Sequence, residues 1–213
     1  MDEKPLRNIF YYKNYYLDFF RTLEDKVKKK FNWTLKLVST VERIPLKYFR
    51  HIDGSTGLYE IRVEFESNIY RVFCFFDEGQ LVILVNGFQK KTQKTPKKEI
   101  EKAERLKNNT SMKKTQNSNL TSFEDHLDEQ YGERGTPERE NFEEGFEAFR
   151  IGVMLQELRK NNGLTQQQLA EKCGTTKTYI SRIENNASDI RLSTLMRIVR
   201  EGFGGHLKLN VEV

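Results

Sequence analysis

Four cations and one aromatic ring in the first half of this sequence have the types and spacing to handle a phosphate. Arg62 and Arg71 lie nine positions apart in two apolar, alternating stretches, and Lys90 and Lys91 follow a third such stretch that ends near Phe88. An antiparallel sheet brings side chains on adjacent strands into one patch. Guanidinium and ammonium groups there stabilise charge that develops on phosphate oxygens. Phe88 supplies a ring on which an unpaired base can stack, as single-stranded RNA sites commonly arrange. An unperturbed lysine, with a pKa of about 10.4, is mostly protonated at neutral pH. A base role for Lys90 or Lys91 therefore requires a pKa depressed by cationic neighbours. Taken alone, the same residues also fit a solvated strand face with Phe88 in the core. His51 is the single histidine of this half, which excludes a two-histidine ribonuclease arrangement within it and leaves His51 a lesser candidate. Neither a metal constellation nor a Ser-His-Asp arrangement presents itself, so no metal and no cofactor are expected.

The second half carries a different motif, TQQQLAEKCGTTKTYISRIE at residues 165–184. Thr165 is placed to cap a helix, and small Ala170 lets a second helix cross closely. Gly174 supplies the left-handed turn between them. Gln166, Ala170, Gly174 and Ile180 fall at positions 1, 5, 9 and 15, the spacing that a helix-turn-helix needs. The stretch GLTQQQLAEKCG resembles the Cro-like (XRE-type) helix-turn-helix family. In that family the second helix enters the major groove, which makes Thr175, Thr176, Lys177, Thr178, Ser181 and Arg182 the matching DNA-binding candidates. Gln166 and Gln167, at the N-terminus of the preceding helix, are expected to meet phosphate or base edges. Tyr179 fits either a sugar-phosphate contact or the core.

The elements that must position these groups follow from periodicity. In the first half, Leu6 to Tyr12 reads as a short strand and Tyr15 to Lys30 as a helix, with Tyr16, Phe19, Phe20, Leu23 and Val27 on one face. A second helix is expected from Leu35 to Arg43, ending before Pro45. Tyr59, Ile61, Val63 and Phe65 then alternate with Glu60, Arg62, Glu64 and Glu66, the pattern of a half-buried strand with one charged face. Ile69 to Phe76 and Leu81 to Phe88 are two more strands, and Pro96 opens a helix over Lys97 to Lys107. In the second half, a short acidic helix is expected from Ser122 to Gln130. A long one follows, capped by Thr136, begun at Pro137 and stopped by Gly163. The tail, His206 to Val213, alternates like a terminal strand. Residues 107–122 are rich in Asn, Ser, Thr and Lys and read as a linker. The expected fold is α+β, a small antiparallel sheet with helices over residues 1–107, followed after a linker at 108–121 by an all-α helix-turn-helix domain at 122–213.

Charge is unevenly divided along the 213 residues. Residues 1–111 hold 22 Lys and Arg against 15 Asp and Glu, a net +7, whereas residues 123–147 hold ten acids against Arg134 and Arg139, a net −8. A basic body followed by an acidic stretch suggests an anionic ligand and an internal competitor for it. The acidic helices are expected to pack on the basic half, anchored by Phe123, Leu127, Phe142 and Phe146. Cys74 and Cys173 lie in apolar patterns and read as buried thiols. Charges are scattered through Met1 to Arg7 and no run approaches a membrane span. A signal peptide and a membrane segment are therefore not expected, and the compartment reads as cytoplasmic.

The stretches GLYEIRV, IYRVFCFF and VNGFQKKTQKTPKKEIEKA resemble the HigB branch of the RelE/ParE toxin superfamily, over about residues 57–106. IGVMLQELRKNNGLTQQQLAEKCGTTKTYISRIE and the GGHLKL tail resemble HigA antitoxins. The resemblance implies a ribosome-dependent mRNA endonuclease in which a 2′-hydroxyl attacks the adjacent phosphate without a metal. Arg62 and Arg71 would hold the phosphate, and Lys90 or Lys91 would shuttle a proton or add positive charge. Phe88 and Lys94 would contact RNA, while Glu60 would orient Arg62. A catalytic His or Tyr near the end of this domain has no clear counterpart. The second half would be an antitoxin that restrains the nuclease and binds its own operator. Because this half is slightly acidic, weak single-site binding favours a homodimer on a palindrome. Two other readings fit parts of the sequence: a non-enzymatic transcription regulator with an N-terminal sensing domain, and a gyrase-poisoning ParE-like toxin with its antitoxin.

Overall fold

The computed structural model describes residues 5–77, 79–89, 97–111, 120–185 and 190–209. The chain divides into two compact units, Asp2–Thr136 and Pro137–Val213. The first is α/β and the second is helical.

In the first unit, strands β1 (Ile9–Tyr12), β2 (Phe49–His51), β3 (Leu58–Phe65), β4 (Asn68–Asp77), β5 (Gln80–Gln89) and β6 (Leu120–Ser122) form one sheet in the order β2-β3-β4-β5-β1-β6. The period-two stretches pair as a meander, with β3 and β4 antiparallel from Leu58↔Phe75 to Phe65↔Asn68. Their tight turn puts Glu66 at φ 52, a left-handed value that a non-glycine residue adopts at some cost. β1 lies parallel to β5, so the sheet is mixed. The helices expected over 15–30 and 35–43 are instead α1 (Tyr15–Arg21) and α2 (Asp25–Thr40), with the break at residues 22–24 and α2 running on through Leu35 to Thr40. The chain leaves helical geometry between them. Thr22 Oγ1 donates to the Phe19 carbonyl at 2.7 Å, and Glu24 is extended at ψ 150.

The sheet has two covered faces. On one, Tyr12, Leu58, Phe73 and Phe75 pack with Ala103 and Leu106 of α3 (Lys97–Ser111). On the other lie Tyr11, Tyr16, Phe20 and Phe31, with Tyr70 edge-on to Phe31. A Cβ on Gly87 would sit 1.7 Å from the Phe19 ring, so α1 approaches β5 closely only because that residue is glycine.

Residues 120–131 also belong to this unit. β6 pairs antiparallel with β1, matching Phe10↔Ser122 to Tyr12↔Leu120. Helix α4 (Phe123–Tyr131) is capped by Ser122, whose Oγ accepts from the Asp125 amide at 3.0 Å. Phe123 and His126 set their rings against Tyr11 at 6.4 and 5.4 Å, and His126 meets Phe20 at 4.9 Å. Leu127 is fully buried, and Asn32 Nδ2 donates to the Tyr131 hydroxyl at 3.3 Å. α3 extends to Ser111 and β6 begins at Leu120, so regular structure enters the segment read as linker from both ends.

In the second unit, α5 (Pro137–Asn161), α6 (Gln166–Lys172), α7 (Lys177–Asn185), α8 (Leu192–Arg197) and a π-helical turn (Ile198–Gly202) follow in sequence. Leu155, Leu169, Ala170, Ile180, Ile183 and Ile198 form its core. A Cβ on Gly152 would lie 2.3 Å from the Ile183 carbonyl oxygen, so α5 and α7 touch backbone to side-chain-free backbone. Gly174, at φ 59, makes the turn after α6. Residues 205–209 carry no regular secondary structure, and the remainder of the expected terminal strand lies outside the described residues. Among the described residues no helix is long and apolar enough to cross a membrane. Both cysteines are buried free thiols, and burial pushes the Cys74 pKa well up.

Gly152→Ala is expected to destabilise the second unit by about 1–3 kcal/mol through overpacking against α7, read as a lowered denaturant midpoint. Acid should loosen the first unit through His126. Burial, with a contribution from Arg21, lowers its pKa from the ordinary 6.5 to about 4. The folded state therefore favours the neutral ring. That contribution is fully present above pH 6.5 and is lost as pH falls from there through 4. A His126→Phe variant should show a flatter loss of stability across this window, measured by urea unfolding at stepped pH.

Candidate functional site

β3 and β4 place Arg62 and Arg71 directly opposite each other, so the two guanidinium groups share one face of the sheet. Glu60 and Glu64 stand on the same face, two residues before and after Arg62. Arg71 Nη1 donates to Glu60 Oε2 at 2.5 Å with both side chains buried, and Arg62 Nη2 donates to Glu64 Oε1 at 3.4 Å. Arg50, across from Glu60 on β2, adds a third guanidinium near Arg71. Burial lowers the Arg71 pKa, with Glu60 opposing and Arg62 and Arg50 adding to the depression. A guanidinium nonetheless stays charged, so the consequence is electrostatic crowding rather than a neutral arginine. The Nε of Arg62 is buried and has no hydrogen-bond acceptor among the described residues. Arg50 in turn pairs with Asp53 at 3.3 Å, so each guanidinium has a carboxylate partner and the unused buried donor of Arg62 is what an anion's oxygen would satisfy.

Phe88 pairs with Arg71 across β5, is half-buried, and sets its ring edge-on to Phe73 at 5.9 Å against the core under α3. It therefore borders the guanidinium cluster and is also a core residue. Lys90, Lys91 and Lys94 lie outside the described residues. His51 pairs with Tyr59, a position that alternates with Glu60, so it stands on the opposite face and packs its ring 5.3 Å from Tyr59. Glu60 bonds Arg71 rather than Arg62. Arg50 was not singled out by sequence because a three-residue edge strand carries no alternation to find. Among the described residues no group of three or more His, Cys, Asp or Glu is arranged to hold a metal.

In the second unit the motif residues fall on α6, the turn and α7. Thr165 Oγ1 accepts from the Gln168 amide at 3.2 Å, and the Gln168 side chain returns a bond to the Thr165 amide at 2.8 Å, a capping box. Arg159 and Glu184 form a buried two-point pair at 2.6 and 2.8 Å, and Arg159 also donates to the Leu164 carbonyl at 2.8 Å. Gln166 donates to Glu184 Oε2 at 2.8 Å, so its amide helps lock α6 to α7. Gln167 is exposed and donates to Glu171. Thr176 Oγ1 accepts from the Tyr179 amide at 3.2 Å and so caps α7, while Thr175 is half-buried in the turn. Lys177, Thr178, Ser181 and Arg182 line one shallow depression along α7. Tyr179 packs against the core and carries the Arg182 guanidinium 5.2 Å above its ring. That contact holds the arginine on the outer surface without burying its charge.

Lys177→Ala and Arg182→Ala, singly, should weaken binding to duplex DNA. Each should reduce the salt-dependence slope by about 1, measured by fluorescence anisotropy across a salt series. Both side chains are exposed, so the thermal midpoint should stay unchanged.

Two stretches match known families. Residues 18–108 match the family described as phage derived protein Gp49-like, and residues 155–201 match the helix-turn-helix family. No curated protein matches the chain. The first match runs from within α1 to within α3 and includes every residue of the guanidinium cluster, and the second runs from the last turns of α5 into the π-helical turn. The chain thus joins a domain similar to Gp49-like phage proteins to a DNA-binding helix-turn-helix domain, a pairing that supports a toxin–antitoxin fusion in general.

Proposed function

We propose that this chain is a toxin–antitoxin module of the HigB–HigA kind in one cytoplasmic polypeptide. Its first unit is a metal-free endoribonuclease that cuts mRNA on the ribosome. The observation that carries this reading is the cross-strand pair Arg62–Arg71, flanked by Glu60, Glu64 and Arg50 on one sheet face. In the proposed reaction an RNA 2′-hydroxyl attacks the adjacent phosphorus. The P–O5′ bond breaks, leaving a 2′,3′-cyclic phosphate and a 5′-hydroxyl. Arg62 and Arg71 hold the nonbridging oxygens and stabilise the added negative charge. Lys90 or Lys91 moves the proton or contributes further charge, Phe88 offers its ring edge to a base, and Lys94 contacts the backbone.

The second unit represses the module's own promoter by placing Thr175 to Arg182 of the helix-turn-helix in the major groove of a palindromic operator, with Gln167 at the backbone. It acts as a homodimer. Leu192 and Met196, one turn apart on α8 and about half exposed, offer apolar surface for that contact. Restraint of the nuclease works by obstructing entry to the ribosome rather than by filling the guanidinium cluster. The acidic helix α4 packs against Tyr11 and Phe20, on the face away from Tyr12, Phe73 and Phe75, whereas Arg71 alternates in register with that latter set.

Expression of residues 1–111 alone, without the acidic helix, from a tight promoter tests the enzymatic claim. Growth arrest with fragmented mRNA is the expected outcome. Arg71→Ala or Arg62→Ala should lower cleavage by about 10²–10³-fold, the usual cost of removing one preorganised donor to a developing anion. Arrest with intact mRNA would point to a gyrase-type target. Normal growth with folded protein would leave a DNA-binding regulator with a sensing domain.

A further inference from the structure

The surface that receives residues 120–131 differs in chemistry from the rest of the first unit's core. Under α3 the contacts are mainly aliphatic and phenyl, with Leu58, Phe73, Phe75, Ala103 and Leu106 beside Tyr12. Around α4, hydroxylated and polar groups stand among Phe20, Phe123 and Leu127. Tyr11 and Tyr16 stack at 4.7 Å, His126 stands edge-on to Tyr11, and Asn32 reaches Tyr131. Four buried atoms here, the hydroxyls of Tyr11 and Tyr16, Asn32 Oδ1 and His126 Nε2, have no hydrogen-bond partner among the described residues. Tyr11 and Asn32 touch α4 and His126 belongs to it, so departure of α4 would open these groups to water. Docking therefore gains apolar burial at Phe123 and Leu127 and sacrifices hydration at these polar groups, the balance of a reversible interface rather than of a permanent core.

Three further observations agree. The β1 edge that β6 covers is a ready template for an added strand, and β6 supplies only three residues to it. The helix FEDHLDEQY carries four acids and no Lys or Arg. It borders a cleft of about 160 Å³ shared by Arg21 and Lys28 of α1 and α2 with His126, Glu129 and Gln130. The span similar to Gp49-like proteins ends at residue 108, before this strand and helix begin.

We propose that residues 120–131 are a displaceable arm that grips the β1 edge and the α1–α2 aromatic surface non-covalently. The arm joins the C-terminal half to the N-terminal body even when the chain between residues 111 and 120 is cut. This holds whatever the catalytic activity of the body, because the grip lies on strand pairing and ring contacts away from the guanidinium cluster.

Replacing residues 112–119 with a protease recognition sequence of equal length, then cutting the purified full chain, tests it by size-exclusion chromatography. The cut chain should elute with the uncut chain. Excess synthetic peptide of residues 120–132 should release the C-terminal fragment, and the same peptide with Leu127→Asp should not, having lost affinity by about 100-fold or more. Immediate separation on cutting would overturn the proposal. So would fragments that stay together at every concentration of the wild-type peptide, since the grip would then lie elsewhere. Because the peptide carries the substitution, neither the arm nor the surface it grips has to be changed in the chain.

Discussion

Guanidinium groups on paired positions of neighbouring strands repel, and the arrangement of β3 and β4 leaves Arg62 and Arg71 no separation along the ladder. The sheet accommodates them because Glu60 and Glu64 alternate onto the same face and each takes one arginine. The Arg71–Glu60 pair is buried on both sides, so the two charges depend on each other. The third guanidinium, Arg50, has a carboxylate of its own in Asp53 at 3.3 Å, while Arg62 Nε keeps an unused donor. The rest of the first unit follows from this constraint. α3 packs over Phe73 and Phe75 on the cluster's face, while α1, α2 and the arm occupy the other. Those ring contacts leave the guanidinium end of the sheet to charge.

The second unit uses the same device for a different purpose. Arg159 and Glu184 form a buried two-point pair that ties the end of α5 to the end of α7, and Gln166 of α6 joins them. Three helices are thereby keyed together at one carboxylate, and Gly152 lets α5 come close enough for the key to close. The outer face of α7 is then free of structural duty, so Lys177, Thr178, Ser181 and Arg182 are positioned by the frame without being consumed by it. In the first unit the ion pair sits inside the candidate site. In the second it stands behind the site and sets its geometry.

Sequence periodicity carried the meander well, because period-two alternation from Tyr59 to Phe65 puts Glu60, Arg62 and Glu64 together without any knowledge of the fold. The neighbouring of Arg62 and Arg71 was legible for the same reason. The helix-turn-helix was legible from Gln166, Ala170, Gly174 and Ile180, each a residue whose size or backbone freedom the turn demands. Three-residue edge strands were not. Phe49–His51 and Leu120–Ser122 are too short to alternate, so Arg50 and the docking of 120–131 were invisible. The break between α1 and α2 was missed because Leu23 and Val27 continue the apolar face across it, while the interruption rests on Thr22 and the extended backbone at Glu24. Gln166 has a structural role that its position in the motif does not show, since its amide also donates to Glu184.

The chemical identity of the ends of RNA cut by residues 1–111 tests the central claim most directly, because two arginines holding a phosphate for 2′-hydroxyl attack leave only one kind of product. The account predicts 2′,3′-cyclic phosphate and 5′-hydroxyl termini, detected by mass spectrometry and by direct 5′ labelling with kinase, in reactions containing a chelator. Fragments bearing 5′-phosphate and 3′-hydroxyl ends, or RNA left whole by folded protein in the presence of ribosomes, would contradict it.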